Sequence, residues 1–186
     1  MRVSREQVAE NRRKILDAAS RLFRERGYGG VSVADVMEAA GLTHGGFYGH
    51  FKSKDDLIAQ TLAHTMASGA AIEGDLARYA ARYLSASHRD DLGGGCPTAA
   101  LGAETVRHAP EARHALTEGL RAHLARLTDA APGKTAAEKR RAAIGSWSAM
   151  VGALIMARLS DDPALSDELL AQTRAWIAAK DGSRGA

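Results

Sequence analysis

The chain has 186 residues, 45% of them apolar, and a net charge of +3, which is enough material for a real core in one large or two small domains. No apolar run approaches the roughly 18–20 residues that span a bilayer, and the opening MRVSREQVAENRRK lacks the apolar stretch of a signal peptide, so the expectation is a cytoplasmic protein with no membrane partner. One cysteine, Cys96, excludes an intrachain disulfide. The seven histidines show no zinc-site spacing, and there is no GxSxG and no phosphate loop, so no metal, cofactor or catalytic residue is expected.

Charge is uneven along the chain. Residues 1–54 hold ten Lys/Arg against six Asp/Glu, a surplus of +4, and the remainder sums to −1. A basic first third on a near-neutral body fits a module that meets a polyanion. Its first element is read from Val8, Ile15, Leu16, Ala19, Leu22 and Phe23, which fall at helical spacing and stop at Gly27. Arg2 and Arg5 precede it as a basic arm. Ser32 then caps a second helix, Val33 to Ala40, with Asp35 completing an Asp version of the capping box, and Gly41 stops it. Thr43 offers a cap to a third segment, THGGFYGHF, in spite of three glycines that each cost a helix roughly 0.5–1 kcal/mol. Ser53 caps a fourth helix from Lys54 to about Ala70. Two short helices joined by Ala40-Gly41-Leu42-Thr43 and preceded by an amphipathic helix have the layout of a helix-turn-helix.

Beyond residue 70 the chain stays alanine-rich and helical. The spacing predicts helices over 72–88, 97–107, 110–130, 135–160 and 163–179, with a flexible break at Asp90–Gly95. The fold class is therefore all-α, with about nine helices.

The run ILDAASRLFRERGYGGVSVADVMEAAGLTHGGFYGHFKSKDDLIAQTL, residues 15–62, resembles the DNA-binding domain of the tetracycline repressor (TetR) family. The resemblance rests on Gly27-Tyr28, the Ser32 cap, Ala39-Ala40-Gly41, Phe47-Tyr48 and His50-Phe51-Lys52-Ser53-Lys54. It implies a helix-turn-helix domain over 1–53 and a helical ligand-binding and dimerisation domain over 54–186. It makes residues 43–50 a recognition helix in which Thr43, His44, Gly45 and Tyr48 face DNA. His50 and Lys54 would meet phosphates, as would Ser32 and Val33 through backbone amides at a helix N-terminus. Gly49 departs from the family, which usually has an aromatic residue there. Phe47 and Phe51 are assigned to the core, against Leu22, Phe23 and Val36.

The second domain is read more loosely. Apolar and aromatic side chains with a few polar groups line pockets in helical bundles. The candidates are Met66, Tyr79, Tyr83 and Cys96, together with Leu101, Glu104, Trp147 and Met150. Cys96, next to Pro97 at a helix start, sits where the helix dipole stabilises a thiolate. The resemblance further implies that a stripe of Gly145, Ala149, Ala153 and Ala157, flanked by Trp147, Met150, Val151, Leu154 and Ile155, and the following helix with Leu165, Leu169, Leu170, Thr173, Trp176 and Ile177, pair with a second copy.

The function these residues imply is a homodimeric, ligand-responsive regulator that represses from a palindromic double-stranded operator until a small molecule releases it. Two alternatives stand beside it: a thiol-based sensor using Cys96, and a helical small-molecule-binding protein without operator binding.

Overall fold

The computed structural model describes residues 4–69 and 72–182; Arg2, half of the expected basic arm, lies outside them. The described residues form nine α-helices and one 3₁₀ segment, with no strand. Helix α1 (Arg5–Arg26) opens on Ser4, whose side chain accepts from the Gln7 amide, so Arg5 starts the helix instead of extending an arm. It ends at Gly27, where φ is +71° and the amide donates to the Phe23 carbonyl at 2.8 Å, the left-handed stop that favours glycine. Helix α2 (Val33–Ala39) carries the expected capping box. The Ser32 hydroxyl accepts from the Asp35 amide, and the Asp35 carboxylate accepts from the Ser32 amide at 2.7 Å.

Between α2 and α3 (Lys54–Ala67) the expected recognition helix is a six-residue 3₁₀ segment, His44–Gly49. Thr43 makes no side-chain cap there. With three glycines in six residues and an uncapped start, the α-form has little to favour it, and 3₁₀ geometry is common in such short pieces. Ser53 caps α3 as expected, accepting from the Asp56 amide at 3.1 Å.

The helix expected over 72–88 is two: α4 (Leu76–Tyr83), capped by Asp75, and α5 (Ala86–Asp90), capped by Ser85. Ser85, taken as a helix interior, instead starts a new one. Within the expected break at Asp90–Gly95, the Asp91 carboxylate accepts from the Gly94 amide at 2.7 Å. Helices α6 (Pro97–Thr105), α7 (Pro110–Ala130), α8 (Ala136–Leu159) and α9 (Pro163–Gly182) agree closely with expectation.

Two compact units result. The first comprises residues up to Ser68 together with Cys96–Gly119; the second comprises 69–95 and the chain from Leu120. Helix α3 thus packs with the N-terminal helices, against α1 and α6. The core of the first unit is built from Ile15, Phe23, Tyr28, Val36, Phe47 and Phe51 with Leu57 and Leu62. In the second unit α8 and α9 pack on one another and on α4. Contrary to the sequence expectation, α8 is long and apolar enough to cross a membrane by length and composition. Seven of its residues, Trp147, Met150 and Leu154 among them, are buried in the protein, which is how a core helix passes the same test.

Candidate nucleic-acid interface

The 3₁₀ segment is anchored on one side and open on the other. Phe47 is 1% exposed and Phe51 2%; their rings stack at 5.6 Å in the core that holds Leu22, Phe23 and Val36. The Phe51 amide donates back to the Phe47 carbonyl at 3.0 Å, one α-type turn that keeps both rings on the same side. Tyr48 has the opposite environment: it is 73% exposed, with its ring edge-on to Phe47 at 5.2 Å. Thr43, His44, Gly45 and Gly49 are exposed beside it and His50 is half-buried. Four of the expected contact residues, Thr43, His44, Gly45 and Tyr48, therefore share one short exposed segment.

The glycines on that segment have no internal reason to be there. A Cβ built on Gly45 or Gly49 meets nothing within 4 Å, and neither has a positive φ. A missing side chain at an exposed position leaves the backbone there open to close approach from outside the chain.

Two of the remaining expected contacts, Ser32 and Lys54, are already engaged within the protein. The Ser32 amide is held in the capping box by Asp35, whose carboxyl is kept below its usual range first by the Ser32 hydroxyl and then by the Ser32 amide. Lys54 is half-buried and its ammonium donates to the Tyr28 carbonyl at 2.6 Å, which leaves two of its three protons for another acceptor.

Sequence reasoning missed Tyr28 as a junction. Its amide donates to the Glu104 carboxylate at 2.8 Å, its hydroxyl pairs with Thr105 at 3.0 Å, and its ring meets Phe23 and His108 edge-on. Burial pushes its phenol up to about 12. Glu104 also faces Gly27, where an added Cβ would come within 2.5 Å of its carboxylate. Nothing local signals a pairing between residues 76 positions apart. Glu104→Ala leaves the Tyr28 amide without its acceptor and is expected to destabilise the first unit by about 1–2 kcal/mol in urea unfolding, with Glu104→Gln recovering part of it.

The eight residues expected at a ligand fall in both units. In the first, Met66 packs against Gly119, Leu101 is in the core, Glu104 is bound to Tyr28, and Cys96 is a buried N-cap of α6 without a side-chain cap bond. Burial of that thiol argues against the sensor alternative, which needs access. In the second unit Tyr79, Tyr83 and Trp147 are brought together with a residue the sequence did not signal, His123. Tyr83 meets Trp147 at 5.2 Å, and His123 meets Trp147 at 4.2 Å and Tyr79 at 5.9 Å. Met150 is fully buried.

Comparison with known proteins converges on one family. The profile "Bacterial regulatory proteins, tetR family" matches residues 15–61, and "Tetracyclin repressor-like, C-terminal domain" matches 74–173. The HTH-type transcriptional regulator AcrR of Shigella flexneri is 41% identical over 59 residues, 32% of this chain and 27% of its own length. The HTH-type transcriptional repressor Rv1474c of Mycobacterium tuberculosis is 38% identical over 76 residues, 39% of this chain and 41% of its own. Both alignments thus span less than half of those relatives. Among solved structures, reduced NemR of E. coli superposes with a TM-score of 0.73 at 23% identity, over 91% of this chain and 95% of that one. A TetR-family regulator from Agrobacterium tumefaciens gives 0.72 at 20%, over 92% and 98%; identities this low speak to fold alone. Since the two profiles cover the helix-turn-helix and more than half of the chain beyond it, the chain belongs to the TetR family of bacterial regulatory proteins, not to a family of enzymes.

Proposed function

We propose that the chain is a homodimeric transcriptional repressor, acting in the cytoplasm, that binds a palindromic operator and is released by a small molecule. Residues 1–53 read DNA and 54–186 bind the effector and the second copy. The observation that carries the reading is the segment His44–Gly49, fixed by a buried phenylalanine and presenting an exposed tyrosine between two glycines that lack an internal role. Thr43, His44, Gly45 and Tyr48 face the major groove. Ser32, Val33, His50 and Lys54 serve phosphates, with Ser32 acting through its helix end because its amide is taken. Two such segments related by a two-fold axis reach half-sites about 34–36 Å apart.

Release needs only differential affinity. An effector that prefers the conformation with the wrong spacing shifts the population about tenfold for every 1.4 kcal/mol of preference. Tyr79, Tyr83, Trp147 and Met150 are the effector-side candidates within the second unit; Met66, Cys96, Leu101 and Glu104 are those within the first.

The test is binding of the full chain to the DNA upstream of its own gene at two salt concentrations. Affinity should fall steeply with salt as phosphate contacts release counterions; binding that is absent or indifferent to salt overturns the reading. Gly45→Ala separates contact from fold. It is expected to leave thermal stability unchanged or slightly raised and to weaken DNA binding about fivefold, because a methyl group then stands where a base edge or phosphate must approach.

Burial within the protomer takes part of the expected dimer face. Ala153 and Ala157 are buried within the protein, as are Trp147, Met150 and Leu154, so that side of α8 is spent on the protomer. What remains outward are Ile144, Met156 and Leu159 of α8, with Leu159 79% exposed, and Leu165 and Trp176 of α9. We assign the second copy to these.

A further inference from the structure

Lys54 stands where a cation is poorly placed. It is the first residue of α3, with Asp55 and Asp56 behind it in the same turn, at the end of the helix where the backbone dipole favours acids. Its ammonium turns back to the Tyr28 carbonyl at 2.6 Å. The position of the ammonium therefore depends on that of the Tyr28 backbone, which its own loop fixes weakly, because glycine flanks it as Gly27 on one side and Gly29-Gly30 on the other. The polar side chains that hold Tyr28 come from α6. The Glu104 carboxylate accepts from its amide at 2.8 Å. The Tyr28 hydroxyl donates to Thr105 at 3.0 Å, since the Thr105 proton goes to the Leu101 carbonyl at 2.8 Å. Glu104 has room beside the amide because Gly27 has no side chain; a Cβ there would stand 2.5 Å from its carboxylate.

We infer that Glu104 is a positioning residue for operator binding: it fixes the Tyr28 backbone, whose carbonyl aims the Lys54 ammonium at a DNA phosphate. The inference rests on the reading of Lys54 as a phosphate contact. One ammonium proton is spent on Tyr28, and two remain for phosphate oxygens. Glu104 lies outside residues 15–61, which match the regulatory-protein profile, yet in the same compact unit as Tyr28 and Lys54. A carboxylate in a DNA-reading unit opposes a polyanion by its charge, so the contribution of Glu104 is geometric. An uncharged acceptor of the same shape should serve as well.

The experiment measures binding of the full chain to a duplex of the DNA upstream of its own gene across salt concentrations, at a temperature where circular dichroism shows every variant folded. K54A should weaken binding about tenfold at low salt and flatten the slope of log affinity against log salt by about one, the loss of one phosphate contact. E104A should flatten the slope nearly as much and weaken binding about fivefold, whereas E104Q, whose side-chain carbonyl still accepts from the Tyr28 amide, should keep the slope and stay within about twofold of the parent. The double variant K54A/E104A should bind no more than about twofold below K54A alone. If K54A flattens the slope and E104A does not, or if the two losses multiply in the double variant, Glu104 acts independently of Lys54. The inference is then overturned and the operator reading stands. An E104Q slope as flat as that of E104A places the effect in the charge and overturns the geometric role. A parent that does not bind, or a K54A slope equal to the parent's, overturns the phosphate reading and the inference with it.

Discussion

Phe47→Ala is expected to cost the first unit about 3–5 kcal/mol, the range for a buried aromatic reduced to alanine. Phe47 is 1% exposed, stacked on Phe51 at 5.6 Å and edge-on to Tyr48 at 5.2 Å. The segment it anchors has six residues, three of them glycine, and no side-chain cap, so nothing local replaces the lost ring. Against a total stability of about 5–15 kcal/mol, the loss should show as a large drop in the urea midpoint with an unchanged slope. DNA binding should disappear with it. Tyr48→Ala is the contrast: at 73% exposure it should move stability by less than about 0.5 kcal/mol while weakening operator binding about tenfold. Should the Tyr48 variant unfold as readily as the Phe47 variant, the division of this segment into an anchored side and a contacting side is wrong.

The division into a buried and an exposed side was legible in the sequence, because it rests on spacing. Phe47 and Phe51 are one turn apart and Tyr48 lies between them, whichever helical form the segment takes. The capping box at Ser32-Asp35 is equally local, a side chain meeting an amide three residues on. The form of the segment was not legible, since the choice between α and 3₁₀ turns on fractions of a kcal/mol per glycine and on a Thr43 cap that the structure does not make. Periodicity also shows that α8 is apolar on more than one side but not which side its own protomer takes. The stripe through Ala153 and Ala157 went inward, and the one through Gly152 and Leu159 stayed out. Contacts such as Tyr28 with Glu104, or Trp147 with His123, join distant stretches of chain and leave no trace in spacing at all.

The second large effect follows from one of those distant contacts. His123 is 8% exposed, with its ring 4.2 Å from that of Trp147 and its Nε2 at the outer limit of a hydrogen bond, 3.5 Å, from the Tyr79 hydroxyl. Burial first, and then the charge of Arg126, lower its pKa from 6.5 to about 4. The folded state therefore keeps the imidazole neutral in a range where the unfolded chain protonates it. The unfolded state binds the extra proton, so stability is complete above pH 6.5 and falls as the pH drops from there toward 4. The loss should reach about 2 kcal/mol by pH 5. His88, whose pKa is also lowered by burial in spite of its bond to the Tyr83 carbonyl at 2.5 Å, adds to the same acid limb. Replacing His123 by Leu removes the titrating group from the apolar cluster, so urea unfolding between pH 7.5 and 4.5 should show a distinctly shallower decline, with the His88 contribution left behind. The variant should gain on the parent as the pH falls, whatever the lost Tyr79 contact costs at neutral pH. An equal slope in parent and variant would mean that His123 is protonated without penalty in the folded protein, and that the cluster of Tyr79, Tyr83 and Trp147 around it is wetter than its packing indicates.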